Sequence, residues 1–189
     1  MKKFSIILAL DNENGIWKNN DLAWDIPDDR KYFRDITTKT KNTQKQNAVI
    51  MGRKTWESIP EKYRPFKNRR NFILSRSCKN DSVEKNWVHN FCSLDNCLSF
   101  IEKQSDIEEI FIIGWSQLYN QVLTHPSFEK AYITRVFSKF HCDVFFDGLP
   151  KGFDRISRSN MKEYKGTEYE FLIYKKKRNV FQKIKNFFN

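Results

Sequence analysis

Six runs of apolar and β-branched residues, at 4–10, 48–51, 71–75, 109–113, 130–137 and 168–175, punctuate the chain, and amphipathic helical patterns at 27–38, 53–59, 94–104 and 116–124 fall between several of them. A strand followed by a helix before the next strand must return across the face of its own sheet, so consecutive strands of this kind lie parallel. No helical pattern separates the last two runs, and those strands are expected to pair antiparallel. The expected fold class is therefore α/β: a mostly parallel central sheet with antiparallel C-terminal strands, flanked by about four helices. At 189 residues the chain supports one substantial core, taken as residues 1–175. No repeat occurs, and "TTKTKNTQKQN" reads as a solvated loop.

No apolar run approaches the roughly 20 residues of a membrane-spanning helix. "FSIILAL" is followed at once by Asp11 and Glu13, unlike a secretory signal. A cytoplasmic protein is the expectation. Cys78, Cys92, Cys97 and Cys142 form no CxxC pair and have no histidine at finger-like spacing. Neither a metal site nor a disulfide framework is therefore expected, and four reduced thiols suit the cytosol. The formal charge of +11 is uneven, because residues 175–189 contribute Lys175, Lys176, Lys177, Arg178, Lys183 and Lys185 with no acid. The remainder attracts small anions such as a phosphorylated cofactor, and nucleic-acid binding is not expected. Residues 176–189 read as a basic amphipathic tail, with Val180, Phe181, Ile184, Phe187 and Phe188 on one side. Such a face is expected to dock on its own domain, with a fused domain or an anionic surface as the alternatives.

Four segments carry candidate chemistry. In "WDIPDDRKYFRDI", Pro27 suits the first turn of a helix, and the helical period puts Asp29 on the stripe of Ile26, Phe33 and Ile36, while Asp28 falls beside Tyr32 and Asp35. Asp29 is then a carboxylate aimed at the core, its pKa raised by desolvation, suited to acid/base work or to an amidine-like donor pair. In "AVIMGRKTWESIP" a strand ends at Gly52 and leads to Arg53, Lys54 and Thr55 at a helix start, where cations and free amides suit phosphate. "FILSRS" offers Ser75, Arg76 and Ser77 at another strand end, and "IIGWSQLY" turns through Gly114 into a helix. Ligands of open α/β sheets sit at the carboxyl ends of strands, where all three fall. GxGxxG, GxxxxGK[ST] and GxSxG are absent, and His89, His125 and His141 are too scattered to form a site.

In order along the chain these segments resemble dihydrofolate reductases. "GIWKNNDLAW" is similar to the family's GIGxxGxLPW loop, Asp29 through Phe33 to its acidic-residue helix, and "VIMGRKTWESIPEKYRP" to its most characteristic stretch. "ILSR" resembles its cofactor strand, "IIGWSQLY" its IxGGxxxY turn, and "YITRV" with "DVFF" its closing strands. The resemblance spans residues 4–175. It implies reduction of 7,8-dihydrofolate to tetrahydrofolate, hydride going from NADPH to C6 and a proton to N5, in one-carbon metabolism. It implies Asp29, Thr134 and Leu22 as catalytic residues, with Asp29 holding the pterin's ring nitrogen and 2-amino group and Thr134 bonding Asp29. The substrate pocket would be walled by Ile7, Leu8, Ala9, Leu22, Phe33, Ile59 and Ile113, with Arg69 pairing with the glutamate α-carboxylate. For NADPH it implies Ala9, Ile16, Gly52, Arg53, Lys54, Thr55, Ser75, Arg76, Ser77, Gly114, Trp115, Ser116, Gln117, Leu118 and Tyr119. No metal is implied.

The chain departs from the pattern at Trp115 and Trp17, each in place of a glycine, at Asn20 in place of another, at Ala23 in place of proline, and at Arg30 in place of an apolar residue. Trp115 and Trp17 imply obstruction on the cofactor side, Trp17, Asn20 and Ala23 an altered closure of the loop, and Arg30 an altered affinity for folate. The alternatives to an active reductase are a degenerate, non-catalytic binding protein of the same fold and the reductase part of a fusion with thymidylate synthase.

Overall fold

The computed structural model describes residues 1–19, 21–78, 82–83, 88–114 and 116–177. Its strands are β1 (Phe4–Leu10), β2 (Gly15–Lys18), β3 (Asp21–Leu22), β4 (Gln46–Gly52), β5 (Arg69–Leu74), β6 (Ser82–Val83), β7 (Val88–Phe91), β8 (Ile107–Ile113), β9 (Phe128–Val136), β10 (Val144–Phe145), β11 (Phe153–Arg158), β12 (Lys162–Tyr164) and β13 (Thr167–Lys176). Four α-helices are described: α1 (Pro27–Thr38), α2 (Arg53–Ser58), α3 (Leu94–Glu102) and α4 (Ser116–Leu123). None is long and apolar enough to cross a membrane.

The main sheet runs β11-β13-β9-β1-β8-β4-β5-β7-β6, with β12 also on β13. From β9 through β7 every pair is parallel, whereas β13 is antiparallel to β9, β11 and β12 are antiparallel to β13, and β6 to β7. The expected α/β class, with its antiparallel C-terminal part, is what the chain adopts. A small second sheet, β10-β2-β3, forms beside it.

All seven residues of β1 are buried, as a central parallel strand covered on both faces requires. Its side chains alternate between two cores. Phe4, Ile6, Leu8 and Leu10 join the cluster of Leu98, Ile101, Leu118 and Val122 from α3 and α4, whereas Ile7 joins Val49, Met51, Phe111 and Ile113 against Phe33 and Ile36 of α1. Burying either set is worth about 1.5–3 kcal/mol per large side chain.

One expectation is corrected. Cys78 and Cys92 are not thiols but a disulfide, with Cα atoms 5.3 Å apart. β5 and β7 are parallel neighbours in the register Leu74↔Phe91, and a turn in which Cys78 N–H donates to Ser75 C=O at 3.2 Å brings Cys78 back beside Cys92. The proximity is made by a strand pairing and not by a sequence spacing, so no motif announces it. Cys97 and Cys142 are free and buried. β13 runs to Lys176, and Lys177 is tied to the body by its N–H on Gly152 C=O at 2.7 Å and its ammonium on Asp154 at 3.2 Å. The apolar face expected at 180–188 lies outside the described residues.

Candidate active site and cofactor cleft

Pro27 occupies the first turn of α1, after Ile26 in extended conformation. This fixes the rotation of the helix, so that Asp28 and Asp29 diverge. Asp28 reaches out to Lys162 Nζ at 2.8 Å, and bonds from Lys162 and Tyr169 hold its carboxyl below the usual range. Asp29 accepts from Thr134 Oγ1 at 2.7 Å across 105 residues of chain. Burial pushes the Asp29 carboxyl above its usual value, and Thr134 and Trp24 only partly oppose it. Thr134 is placed by β9, paired with Ala9 of β1 on one side and Phe171 of β13 on the other.

Trp24 was not foreseen as a site residue. It is buried beside Ala9 and Ile26, and its indole N–H lies near enough to the Asp29 carboxylate to lower its pKa but makes no full hydrogen bond with a described residue. A donor so placed can serve a ligand oxygen as well as the carboxylate. Its only sequence signal is position, three residues before Pro27 in the "LAWDIP" segment.

Around Asp29, the expected walls Ile7, Phe33, Ile59 and Ile113 belong to one cluster with Met51, Trp56 and Phe66. Ala9 adjoins them beside Trp24. Strand alternation turns the side chain of Leu8 to the α3/α4 core. Leu22 stands in β3 opposite Trp17 and is 39% exposed. Arg69 is buried, donating from Nη1 to Thr37 Oγ1 at 2.8 Å and from Nε to Lys67 C=O at 3.1 Å, with its guanidinium 4.6 Å from the Phe66 ring centre. Burial, then the nearby Arg34, lowers its pKa to about 10, so it remains cationic at neutral pH. Its Nη2 donors make no hydrogen bond among the described residues and can take a carboxylate.

At the carboxyl edge of the sheet lies a cleft of about 640 Å³ lined by Gly52, Arg53, Lys54, Leu74, Ser75, Arg76, Ser77, Cys92, Ser93, Leu94, Leu118 and Gln121. The predicted ends of β4 and β5 and the start of α4 meet here. The end of β7 and the start of α3, marked in sequence only by the Ser93 helix cap, were missed. Gly52 precedes α2 without any side-chain cap, leaving the first amides of that helix available to an anion. Arg53 shares its charge with Glu57 at 2.9 Å. Arg76 is exposed and makes no ion pair with a described residue.

The turn at Gly114 is set by close packing. Gly114 has φ +107°, and a Cβ there would stand 2.3 Å from Thr55 Oγ1. That hydroxyl is buried with no hydrogen-bond partner among the described residues. Gly114 N–H donates to Tyr119 Oη at 2.9 Å, and Tyr119 Oη donates to Ile7 C=O at 2.9 Å. Tyr119 therefore braces the turn from within the core. Ile16 is buried in the same cluster as Leu118 and Tyr119. Trp115, Asn20 and the side chains of Ser116 and Gln117 lie outside the described residues. Trp17 is held in β2 between Val144 and Leu22 and packs on the core. Arg30 pairs with Asp25 at the exposed start of α1.

The sequence profile of the dihydrofolate reductase family matches residues 3–178. The chain is 34% identical over 182 residues to the dihydrofolate reductase of Drosophila melanogaster, covering 93% of this chain and 99% of that one. It is 36% identical over 187 residues to that of Mus musculus, covering 94% and 99%. It is also 39% identical over 145 residues to the bifunctional dihydrofolate reductase-thymidylate synthase 2 of Arabidopsis thaliana, covering 75% of this chain and 26% of that one. With a buried Asp29–Thr134 pair at one end of the parallel sheet and a cationic cleft beside it, the chain belongs to the dihydrofolate reductase family.

Proposed function

We propose that the chain reduces 7,8-dihydrofolate to tetrahydrofolate at the expense of NADPH, in the cytoplasm where both small reactants are expected. NADPH, when bound, supplies a hydride to C6 of the dihydropterin. The residues fit that cofactor: the uncapped start of α2, the Thr55 hydroxyl and three cations at adjoining strand ends suit a diphosphate and an additional phosphate. Arg76, exposed and without an ion pair among the described residues, is assigned the phosphate that separates NADPH from NADH.

The observation that carries the reading is the Asp29–Thr134 hydrogen bond of 2.7 Å inside an apolar wall. Thr134 fixes the carboxylate, which then accepts from the pterin's ring N–H and 2-amino group as a bidentate pair. Trp24 Nε1–H donates to an oxygen on the same ring edge. Burial raises the Asp29 carboxyl above its usual value, and N5 receives its proton from this polar end of the pocket. Arg69 takes the substrate carboxylate. Ile7, Phe33, Ile59 and Ile113 exclude water from the ring. These intact donors and acceptors favour a working enzyme over a degenerate binder. The test is the loss of NADPH absorbance with dihydrofolate present, and no turnover above background at saturating reactants sinks the reading.

A further inference from the structure

The reaction does not use the Cys78–Cys92 disulfide, yet the disulfide closes one side of the cofactor cleft. Of the four cysteines, Cys97 and Cys142 are buried and free, whereas Cys78 and Cys92 are partly exposed and joined. Arg76 sits midway along the short connection from Leu74, the last residue of β5, to Cys78. That connection is fixed at its start by Ser75 N–H on Phe91 C=O at 3.0 Å. At its end it is fixed by Cys78 N–H on Ser75 C=O and by the covalent link to Cys92. Because Arg76 has no ion pair of its own among the described residues, its position is decided by the backbone that carries it. Cys92 itself lines the cleft, next to Ser93.

We propose that Cys78 and Cys92 form a redox-controlled staple that sets the affinity of this cleft for the phosphorylated nucleotide end of its cofactor. This rests on the assignment of the cleft to NADPH. Closed, the staple holds Ser75, Arg76 and Ser77 as a preformed anion site, so binding spends little order on the loop. Opening is thiol–disulfide exchange. A thiolate of a dithiol reductant attacks one sulfur, the other leaves as a thiolate, and the reductant's second thiol displaces the mixed disulfide. Two electrons and two protons pass to Cys78 and Cys92, and the reductant becomes a disulfide. In a reducing compartment a partly exposed disulfide is of the sensing kind.

The test uses the full chain. Alkylation of the denatured oxidised protein without reduction should label two of the four cysteines by mass. Calorimetric titration with adenosine 2′,5′-bisphosphate should show roughly tenfold weaker binding after dithiothreitol, and NADH should lose less than NADPH. KM for NADPH should rise in parallel while kcat stays within about twofold. Cys78→Ser should bind like the reduced chain with or without dithiothreitol. Melting temperature is recorded for every sample, and the reduced natural chain serves as the comparison if the variant folds poorly. Labelling of all four cysteines after oxidation, equal bisphosphate affinity in both states, or a dithiothreitol response surviving in Cys78→Ser would each overturn the staple. Redox-dependent bisphosphate binding in a chain that turns over no dihydrofolate supports the staple and overturns the reaction instead.

Discussion

Asp28 and Asp29 are adjacent in the chain and opposite in chemistry, because Pro27 sets the rotation of α1. Asp28 is held ionised by Lys162, and Asp29 is pushed toward its neutral form by burial. The divergence was legible from the period of Ile26, Asp29, Phe33 and Ile36, since a carboxylate on an apolar stripe has only one place to point. Trp24 was not legible: it precedes the helix, so no periodicity carries it to Asp29. Replacing Asp29 by Asn keeps an acceptor for Thr134 Oγ1 but cannot accept two pterin donors or hold the proton. Turnover at neutral pH is expected to fall at least about 100-fold, less at acid pH where the substrate arrives protonated. The same change should raise the melting temperature at neutral pH. A carboxyl whose folded pKa is raised favours the folded state below its unfolded pKa, and loses that contribution as pH rises through the folded pKa. The gap between variant and natural protein should therefore narrow on acidification, as a series of melting curves against pH would show. A constant gap would mean that Asp29 does not titrate as described.

At the scale of elements, six strands and four helices were legible because each is long enough to show its period. β2, β3, β6, β7, β10 and β12 are two to four residues long and have no period to read, and exposed β11 lacks a buried face. The small sheet under the active-site loop is instead organised by Asp11. Its side chain accepts from the N–H groups of Glu13 at 2.8 Å, Gly15 at 2.7 Å and Phe140 at 3.2 Å; the first two are local, and the third, across 129 residues, is invisible in sequence. The joint between β8 and α4 depends on Gly114 packed on Thr55 of α2. Gly114→Ala adds a Cβ into that contact at a left-handed φ, at a cost of roughly 2–4 kcal/mol. Thr55→Ala in the same chain should recover part of the loss, leaving the backbone strain, and chemical denaturation of the four proteins of the cycle measures the coupling. Additive losses would show that the two residues do not meet. At the neighbouring strand end, Arg76→Ala should weaken NADPH far more than NADH. Equal losses would remove Arg76 from phosphate recognition.

For the molecule as a whole, parallel strand order gathers every phosphate-binding candidate on one edge of the sheet, which is why isolated weak motifs at 52–55, 75–77 and 114–119 could be read together. What order alone could not reveal was the neighbour pairing of β5 with β7, and with it the disulfide and the Ser93 side of the cleft. The last strand of the sheet, β13, reaches Lys176, and Lys177 is bonded back to Gly152 and Asp154. Residues 178–189 add three cations and five large apolar side chains. If they are an appendage, deleting 178–189 should leave kcat and both KM values unchanged and shift the melting temperature by less than about 2 °C. For a chain of this size about 1 kcal/mol of packing moves it roughly 2–4 °C. A docked amphipathic segment burying several of those side chains would be worth more than that. A fall beyond about 4 °C with catalysis retained would place the segment on the body. A fall in catalysis without a fall in melting temperature would bind it to the site, and either result would remove the appendage reading.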